Sequence, residues 1–488
     1  MMRIFCGLLL TSSLLAEPST LQTLPSVAVT PYVPSEGQAE TLLREPFAES
    51  FALYALPGGE KLGWRSLSLE VSEPGVLRLR ESTQYRYALG SATFDQRSEE
   101  TWTFDASPPY TLRAATREAV LQGKRMVTRL TRTGRGEYRA EITEAGESRA
   151  RDFSNLQLTI LDRLGFRLWA CGTERRRGDC QAFRGFDLKS LESYSERYCV
   201  QHPVRDGGLI EVAVENLKDH FTLRLALQPG GQVLSAVEAD SMEWRGVDAR
   251  EAKRFPVVAD VWARSLLKCP QPLAERIKAG ENLRFTLRGP GLKELPRTIF
   301  QKVKLDATAQ SAALLTGHDA GTAIPATPGE IKSALATSLV LPWTDARVQR
   351  LARQACEGAE SPREKVWRLL RFVSEYVTDD DHTKPVGLIS LLKNPRGDCT
   401  AHALLFTALA RAAGIPCREA SGYLYLSDAM QAFGGHAWNE VVLDGNWHPV
   451  DPTWNQFTLD AGHIQLSTGS PTARDAQYFR GEMTLRVD

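Results

Sequence analysis

The chain has 488 residues, of which 42% are hydrophobic and 24% are charged, a composition typical of a globular protein with more than one domain. Its 59 Lys and Arg residues balance its 59 Asp and Glu residues, so no net field draws the protein toward nucleic acid. No long basic run supplies a local attraction either, and we therefore expect no nucleic-acid partner.

The N-terminal residues predict an export signal. The stretch MMRIFCGLLLTSSLLAEP has one Arg before an apolar segment that is too short to span a bilayer, and Ala16 precedes Glu17 and Pro18. We expect residues 1–16 to be a cleaved signal peptide, with an uncleaved anchor as the alternative. The mature protein is then periplasmic or extracellular, and no later segment is apolar for long enough to cross a membrane.

Export makes the cysteines informative, because an oxidising compartment favours disulfides. The chain has 8 cysteines, and loss of Cys6 with the signal leaves seven: Cys171, Cys180, Cys199, Cys269, Cys356, Cys399 and Cys417. If six of them pair, about fifteen connectivities are open and one thiol is left over. Zinc is the competing use of these residues, but no Cys-x-x-Cys pair occurs, so we expect no metal site and no cofactor.

The first two thirds of the chain are predicted to be rich in β-structure. Residues 17–45 are rich in Pro, Ser and Thr and are expected to form a linker or an extended arm. Residues 46–255 alternate apolar and polar side chains between turns, as in VLRLRESTQYRYAL and GLIEVAVEN, which predicts an antiparallel β-rich domain. Residues 256–324 contain short strand patterns such as LRFTLRG and are expected to form a connecting segment.

Residues 325–488 change from a strand period to a helical one. ARVQRLARQAC and SPREKVWRLLRFVSEYV are amphipathic, and Ser361, Pro362 and Glu364 predict a helix start with a capping box. Strand patterns return at REASGYLYL, HAWNEVVL and NWHPVD, so this last domain is expected to be α+β. The stretch 316–340 is interpreted as an interdomain linker, with a segment covering the active-site cleft as the alternative.

Cys399 is the candidate nucleophile. It lies in GDCTAHALLFTALARAAGIPCR, at the predicted start of a helix that is stopped by Gly414. The amide groups and the positive dipole end of a helix N-terminus stabilise a thiolate, and the Cys399 amide is placed to donate to an oxyanion. Asp398 is expected to cap this helix.

His436 and Asp451 are the candidate base and the residue that orients it. His436 begins the strand in HAWNEVVL, Asp451 ends the strand in NWHPVD, and Asp444-Gly445 between them is a hairpin-turn signal. If the turn has two residues, Leu443 faces Asn446, and His436 and Asp451 are diagonal neighbours on one face. A three-residue turn would put them on opposite faces, so the turn length tests the arrangement.

The order of these motifs resembles the transglutaminase-like superfamily. GDCTAHALLFTALARAAGIPCR, GHAWNEV and WHPVDPTW follow one another within residues 345–467, after a helix pair and before DPTWNQFTLDAGHIQL. The resemblance implies a papain-like fold in which Cys399 is the nucleophile, His436 is the general base and acid, and Asp451 orients the imidazole. Cys417 stands where the family often has Ala, and the second oxyanion donor is not assigned by the motifs. A β-rich region ahead of the domain is similar to what bacterial exported members carry.

The sequence therefore predicts a multidomain protein, with an antiparallel β-rich N-terminal region followed by an α+β papain-like, transglutaminase-like domain. The resemblance implies cysteine-dependent acyl transfer through a thioester, and we expect water as the acceptor, which makes the protein a peptidase or amidase acting on protein or peptide substrates. An amine acceptor would instead make it a transglutaminase that cross-links glutamine to amines. A non-catalytic envelope binding or scaffold protein is a further hypothesis, as is an amidase acting on glycoprotein glycans. The sequence does not indicate the oligomeric state.

Other side chains near the motifs have plainer interpretations. Trp438 shares a predicted strand face with His436 and is a candidate wall of the substrate cleft, with core packing as the alternative. Three histidines are interpreted as solvated or satisfied side chains: His402, His448 and His463. The acidic run at 379–381 is interpreted as a polar loop after a helix, because no EF-hand spacing surrounds it.

Overall fold

The computed structural model describes residues 46–55, 59–89, 92–121, 123–172, 175–203, 208–217, 222–238, 242–254, 259–260, 266–289, 295–306, 310–338, 341–380, 387–469 and 483–488, with the single residues 32, 43, 292 and 308. The predicted signal, residues 1–16, and almost all of the predicted arm, residues 17–45, lie outside this set. None of the helices within it is long and apolar enough to cross a membrane.

The chain divides into two compact units, of which the N-terminal one includes Thr93–Ala259 and the C-terminal one includes Asp260–Asp488. The N-terminal unit is built from one long sheet, whose strands are β1 Phe47–Ala55, β2 Lys61–Glu73, β3 Val76–Leu89, β4 Ala92–Asp105, β5 Leu112–Leu121, β6 Lys124–Gly134, β7 Glu137–Glu144, β8 Glu147–Phe153, β9 Cys180–Asp187, β10 Glu192–His202, β11 Ile210–Asn216, β12 Thr222–Leu227, β13 Val233–Glu238 and β14 Met242–Gly246. A short strand, β15 Ala259–Asp260, follows, and the helices of this unit are α1 Leu161–Ala170 and α2 Ala249–Ala252. The sheet order is β8-β7-β6-β5-β4-β3-β2-β1-β14-β13-β12-β11-β10-β9, which confirms the predicted antiparallel β-rich region.

Alternation along the strands explains the long sheet. In β7, Tyr138, Ala140 and Ile142 are buried while the residues between them are more exposed, the pattern of a strand with one face on a core. The two ends of the sheet approach each other, because Phe153 in β8 and Phe186 in β9 have ring centroids 5.9 Å apart. The sheet therefore curls strongly rather than lying flat.

One disulfide joins facing residues of neighbouring strands, Cys180 in β9 and Cys199 in β10. The other described cysteines lie outside it: Cys171, Cys269, Cys356, Cys399 and Cys417. The condition that six of the seven mature cysteines pair is therefore not met in the described part of the chain.

The C-terminal unit combines two sheets with a group of helices. Its strands are β16 Leu267–Lys268, β17 Leu283–Arg288, β18 Gln301–Leu305, β19 Ser311–Thr316, β20 Ile324–Pro325, β21 Thr378–Asp379, β22 Arg396–Gly397, β23 Cys417–Ser427, β24 Ala432–Leu443, β25 Asn446–Val450, β26 His463–Thr468 and β27 Thr484–Val487. Its helices are α3 Ala274–Lys278, α4 Pro328–Ala334, α5 Ala346–Ala355, α6 Pro362–Tyr376, α7 Leu388–Lys393 and α8 Cys399–Ala412.

A central sheet with the order β20-β25-β24-β23-β26 divides this unit into layers. On one face, helices α5 to α8 pack through apolar side chains such as Leu405 and Phe406 onto Val441 and Val450. On the other face lies the four-stranded sheet β18-β19-β17-β27, whose core includes the edge-on contact of Phe285 with Phe433 at 5.6 Å between centroids. The predicted order of helices followed by strands in the last domain is confirmed.

The hairpin between β24 and β25 has the two-residue turn that the sequence predicts. Leu443 faces Asn446, and the turn residues Asp444 and Gly445 have φ values of 50° and 76°. Two successive positive φ values are those of a type I′ turn, whose twist matches that of the strands. The register that brings His436 and Asp451 to one face follows from this turn.

Strand β24 has an opening along one edge. On the side away from β23, β25 pairs with Asn439–Leu443 and β16 pairs with Ala432 and Phe433. Among the described strands, residues 434–438 therefore have a neighbour on one side only, and His436 lies in the middle of this opening.

The stretch before the helices packs along the outer edge of the central sheet. Ile324 in β20 faces Trp447 in β25, and Thr327 caps α4 through a complete capping box with Glu330. Covering an edge strand in this way protects its unpaired backbone groups. The predicted domain boundaries at 46, 256 and 325 stay predictions, although strands from residues 256–324 pair with strands of the C-terminal unit.

Candidate active site

Helix α8 begins at Cys399, as the sequence predicts. The carboxylate of Asp398 caps the helix by accepting a hydrogen bond of 3.0 Å from the Thr400 amide, and Gly414 with a φ of 79° follows its last turn. The Cys399 side chain is 3% exposed and packs against Ala403 and Ala437. The thiol therefore lies at the N-terminus of a helix, against the strand residue that follows His436.

Buried hydrogen bonds fix the position of α8 over β24. The side-chain amide of Asn439 donates to the carbonyl oxygen of Ala403 at 3.1 Å and to the hydroxyl of Thr407 at 2.8 Å. Because Cys399, Ala403 and Thr407 are four residues apart, they share one side of the helix. The side of α8 that binds Asn439 therefore also carries Cys399, one helical turn before Ala403, where it contacts Ala437.

His436 and Asp451 are brought together as expected. The Nε2 atom of His436 lies 2.8 Å from Oδ2 of Asp451, and both side chains are buried. An ionised carboxylate only accepts, so Nε2 carries the hydrogen and Nδ1 of a neutral His436 ring holds the lone pair. Oδ1 of Asp451 accepts a second hydrogen bond, from the Thr453 amide at 2.8 Å. Each oxygen of the carboxylate therefore has a donor.

The ionised form of Asp451 is favoured despite its burial. Burial acts to raise the pKa of this carboxyl, but the charge of His436 and the hydrogen bonds from His436 and His463 outweigh it. The pKa of Asp451 is therefore held well below its usual range, and the group stays a carboxylate across the range in which proteins fold.

His463 belongs to the hydrogen-bond network of Asp451, a connection that the sequence does not predict. Of the two alternatives, a solvated or a satisfied histidine, the structure shows the second, because the ring is fully buried with Nε2 3.3 Å from Oδ2 of Asp451 and Nδ1 3.0 Å from Oδ1 of Asp460. Burial alone would lower the pKa of His463, but the two carboxylates raise it to about 9. The signal available in the sequence was the short spacing of Asp460 and His463 just after the DPTW motif.

Trp438 is fully buried beneath the histidines. Its ring lies 5.9 Å from that of His436 and meets that of His463 edge-on at 5.4 Å, and it packs with Phe300 and Leu459. This placement favours the packing role that was the alternative to a cleft wall. Its contribution to substrate binding stays a prediction.

The side-chain atoms of His436, Asp451 and His463 lie within 4.8 Å of one another, a grouping that is large enough to hold a metal ion. The separation of 2.8 Å between His436 and Asp451 is that of a hydrogen bond. Two ligands of a tetrahedral zinc ion at about 2.0–2.1 Å would stand roughly 3.3 Å apart. The 2.8 Å separation therefore fits a hydrogen bond better than a pair of zinc ligands, whereas the 3.3 Å between His463 Nε2 and Asp451 Oδ2 fits either arrangement.

The remaining predicted histidines are satisfied away from this cluster. His402 is buried, with Nδ1 3.0 Å from the Asp398 carbonyl oxygen and Nε2 3.6 Å from a carboxylate oxygen of Asp379. His448 is half-buried, with Nε2 3.0 Å from the carbonyl oxygen of Phe457. Of the acidic run, residue 381 lies outside the described residues.

Comparison with known proteins shows what the region around this site is similar to. Residues 349–452 match the model of the transglutaminase-like superfamily. The chain is also 27% identical over 196 residues to the kyphoscoliosis peptidase of Mus musculus, a match that covers 38% of this chain and 28% of the mouse protein. The kyphoscoliosis peptidase of Homo sapiens is 37% identical over 75 residues, which cover 14% of this chain and 11% of the human protein. The matched regions are thus small parts of both relatives.

Among solved structures, that of a candidate cysteine protease from Cytophaga hutchinsonii aligns with 43% of this chain. The alignment covers 87% of the protease chain. Its sequence identity is 17% and its TM-score is 0.29, and a score this low does not establish a shared fold.

Proposed function

The chain carries a transglutaminase-like domain at residues 349–452, and on this premise we propose that it is a cysteine-dependent acyl-transfer enzyme in which Cys399 attacks peptide or amide bonds. The observation that carries the proposal is the hydrogen bond of 2.8 Å from His436 to Asp451, together with the packing of Cys399 against Ala437, the next residue along the strand. The peptidase name of the mouse and human relatives supports the same class of reaction.

The proposed first half-reaction follows from the hydrogen-bond directions. With Nε2 committed to Asp451, Nδ1 of His436 takes the proton of the Cys399 thiol, and the thiolate attacks the substrate carbonyl carbon. The negative charge that develops on the carbonyl oxygen is stabilised by the positive end of α8. The imidazolium then returns its proton to the leaving amine, the C–N bond breaks, and an acyl thioester on Cys399 remains.

The second half-reaction decides the kind of enzyme. Water that loses its proton to His436 attacks the thioester and releases a carboxylic acid and the thiol, which is hydrolysis. A primary amine would follow the same course to a new amide. We propose hydrolysis, because amine transfer requires abundant water to be kept from the intermediate and the sequence indicates no device for doing so.

The setting of the proposed reaction is outside the cytoplasm. The N-terminal stretch with its single Arg and short apolar segment supports export to the periplasm or the medium. Protein or peptide substrates fit such a compartment, and the disulfide between Cys180 and Cys199 is compatible with it.

Thiol alkylation tests the nucleophile with an internal control. Burial raises the pKa of the Cys171 thiol to about 11 and also raises that of Cys356, although both side chains are more exposed than Cys399. We expect iodoacetamide, which is small enough for a site with 3% exposure, to label Cys399 first at neutral pH. Mass spectrometry of the labelled peptides measures the order in which the cysteines react, and Cys399→Ala is the control that lacks the proposed nucleophile. Labelling of Cys399 no faster than of Cys356 would contradict the proposal.

Product analysis separates hydrolysis from cross-linking. The protein is incubated with a glutamine-containing protein and a fluorescent primary amine, and ammonia release is followed beside amine incorporation. Each incorporated amine displaces one ammonia, so hydrolysis is measured as the ammonia released in excess of the amine incorporated. We expect this excess to be larger than the incorporation and to be lost in Cys399→Ala. Ammonia release that the incorporated amine accounts for in full would make the enzyme a transglutaminase, whereas an alkylatable protein with neither product would favour an amide substrate of another class.

A further inference from the structure

His463 has an acceptor at each of its two ring nitrogens. Nδ1 lies 3.0 Å from a carboxylate oxygen of Asp460, and Nε2 lies 3.3 Å from a carboxylate oxygen of Asp451. A neutral imidazole has one N–H and one lone pair, so either neutral tautomer would direct a lone pair at a carboxylate. Only the imidazolium, with two N–H groups, satisfies both contacts. The geometry alone thus assigns a positive charge to a ring that has no solvent exposure.

The partners of His463 are themselves held in place. Asp460 Oδ1 also accepts the Gly462 amide at 2.9 Å, and Asp460 Oδ2 accepts the side-chain amide of Gln456 at 2.9 Å. The backbone of Gln456 in turn exchanges two hydrogen bonds of 2.9 Å with that of Asp451. The loop from 451 to 463 therefore closes on itself around the imidazolium.

His463 and His436 share one oxygen. Both Nε2 atoms approach Oδ2 of Asp451, His436 at 2.8 Å and His463 at 3.3 Å, and the two rings are 6.0 Å apart between centroids. A fixed cation at this distance repels a second imidazolium and attracts a thiolate, by Coulomb's law. It also prevents Asp451 from rotating its carboxylate away from the base.

We propose that His463 is a positioning residue, a permanent imidazolium that clamps Asp451 and sets the pH range in which His436 exchanges protons with Cys399. This inference rests on the proposed function of Cys399. Among the residues that the structure describes, the ionisable side chains in contact with His463 are Asp451 from the end of β25, Asp460 from the loop before β26, and His436 from β24. His463 does not contact the substrate in this scheme and acts through Asp451.

The test is the pH dependence of Cys399 alkylation by iodoacetamide in the full chain. A unit charge at 6.0 Å interacts strongly enough, at effective dielectric constants of about 80 to 20, to move a pKa by about 0.5 to 2 units. His463→Gln removes that positive charge, so we expect both inflections of the profile to move to higher pH by about that amount. His448→Gln removes a half-buried histidine of β25 that bonds the backbone carbonyl of Phe457 in the loop after that strand, and its profile should match the wild type. A His463→Gln profile with unmoved inflections would overturn the inference.

A second measurement does not depend on alkylation or on the behaviour of His463→Gln. In Cys399→Ala protein labelled with ¹³C-histidine, the His463 ring resonance should stay that of an imidazolium up to at least pH 8. Asp460→Asn removes one of its two carboxylates, and the resonance should then begin to titrate at lower pH. A neutral His463 at pH 7, or a resonance that changes on addition of EDTA as for a metal-bound ring, would overturn the inference.

The proposed function of Cys399 and the proposed role of His463 are contradicted by different results. Wild-type protein in which Cys399 does not alkylate ahead of the other thiols contradicts the proposed function. Wild-type protein that alkylates normally, with a His463→Gln profile like its own, contradicts the role of His463 alone.

Discussion

Replacing Asp451 by Asn should reverse the tautomer of His436. In the orientation in which the oxygen of an Asn side chain keeps the Thr453 amide, which donates to Oδ1 of Asp451 at 2.8 Å, the NH₂ group takes the place of Oδ2 and faces both His436 and His463. That NH₂ group is a donor and lies where His436 Nε2 now donates at 2.8 Å. His436 must then accept with Nε2 and carry its hydrogen on Nδ1, the nitrogen that is proposed to take the thiol proton.

The size of the effect follows from the contacts that are lost. A hydrogen bond to a charged group is worth about 1.5–3 kcal/mol, and a buried donor left without an acceptor costs about 1–3 kcal/mol more. The productive tautomer is therefore disfavoured by roughly 3–6 kcal/mol, which corresponds to a fall of roughly 10²- to 10⁴-fold in the rate that depends on it. The upper value matches the loss of about 10⁴-fold caused by the same change in a serine triad.

The assay is the rate of Cys399 alkylation by iodoacetamide at pH 7, with circular dichroism and thermal unfolding to establish that Asp451→Asn is folded. Asp444→Asn is the matched control, because it makes the same chemical change in the turn of the same hairpin, where a φ of 50° suits Asn. We expect it to alkylate at the wild-type rate. A folded Asp451→Asn protein that also alkylates at that rate would refute the tautomer argument.

The remaining predictions concern stability and are measured by denaturant unfolding. The pKa of His463 is raised to about 9 in the folded protein, so its stabilising contribution is complete below the unfolded value of about 6.5 and is lost as the pH rises through 9. The wild type should lose on the order of 3 kcal/mol more than His463→Gln over that range, and equal losses would contradict this linkage. In the N-terminal unit, Glu49→Ala leaves the buried Arg167 without its carboxylate contacts of 2.7 and 2.8 Å and should cost about 3–5 kcal/mol. In the C-terminal unit, Leu405→Ala in the fully buried side of α8 should cost about 2–5 kcal/mol, whereas Trp367→Ala at a position 52% exposed should cost little.

The features that the sequence predicted are those whose causes are local. Asp444-Gly445 specifies a two-residue turn, and Ser361 begins α6 by accepting from the Glu364 amide at 3.1 Å. A complete capping box would also have the Glu364 carboxylate accept from the Ser361 amide. It accepts instead from the amide of the preceding residue, Glu360, at 2.9 Å. Caps and turns depend on residues within a few positions of one another, which is why single-chain patterns identify them to within a residue.

His463 was not predicted because its significance depends on a contact between distant strands. Asp460 is only three residues from His463 in the sequence. The contact of His463 with Asp451, however, requires that β26 lies beside β23 and that β25 ends at Val450. The same holds for β20, whose two residues gave no strand pattern and became a strand by pairing with Trp447. Sequence spacing carries no information on such pairings until the order of strands in the sheet is known.

The opening in the edge of β24 connects the fold to the proposed chemistry. Successive strand residues point to opposite faces, so Ala437, which contacts Cys399, faces α8, while His436 and Trp438 face away from it. The Cys399 sulfur on one face of β24 and the His436 ring on the other can meet only around an edge of the strand that no neighbouring strand covers. Strand β25 ends at Val450, which faces Asn439, and three more paired residues would extend it to His436. The proposed mechanism therefore requires the hairpin to stop where it does, and the residue at its end, Asp451, then bonds the buried imidazole ring of His436, which lies at the opening.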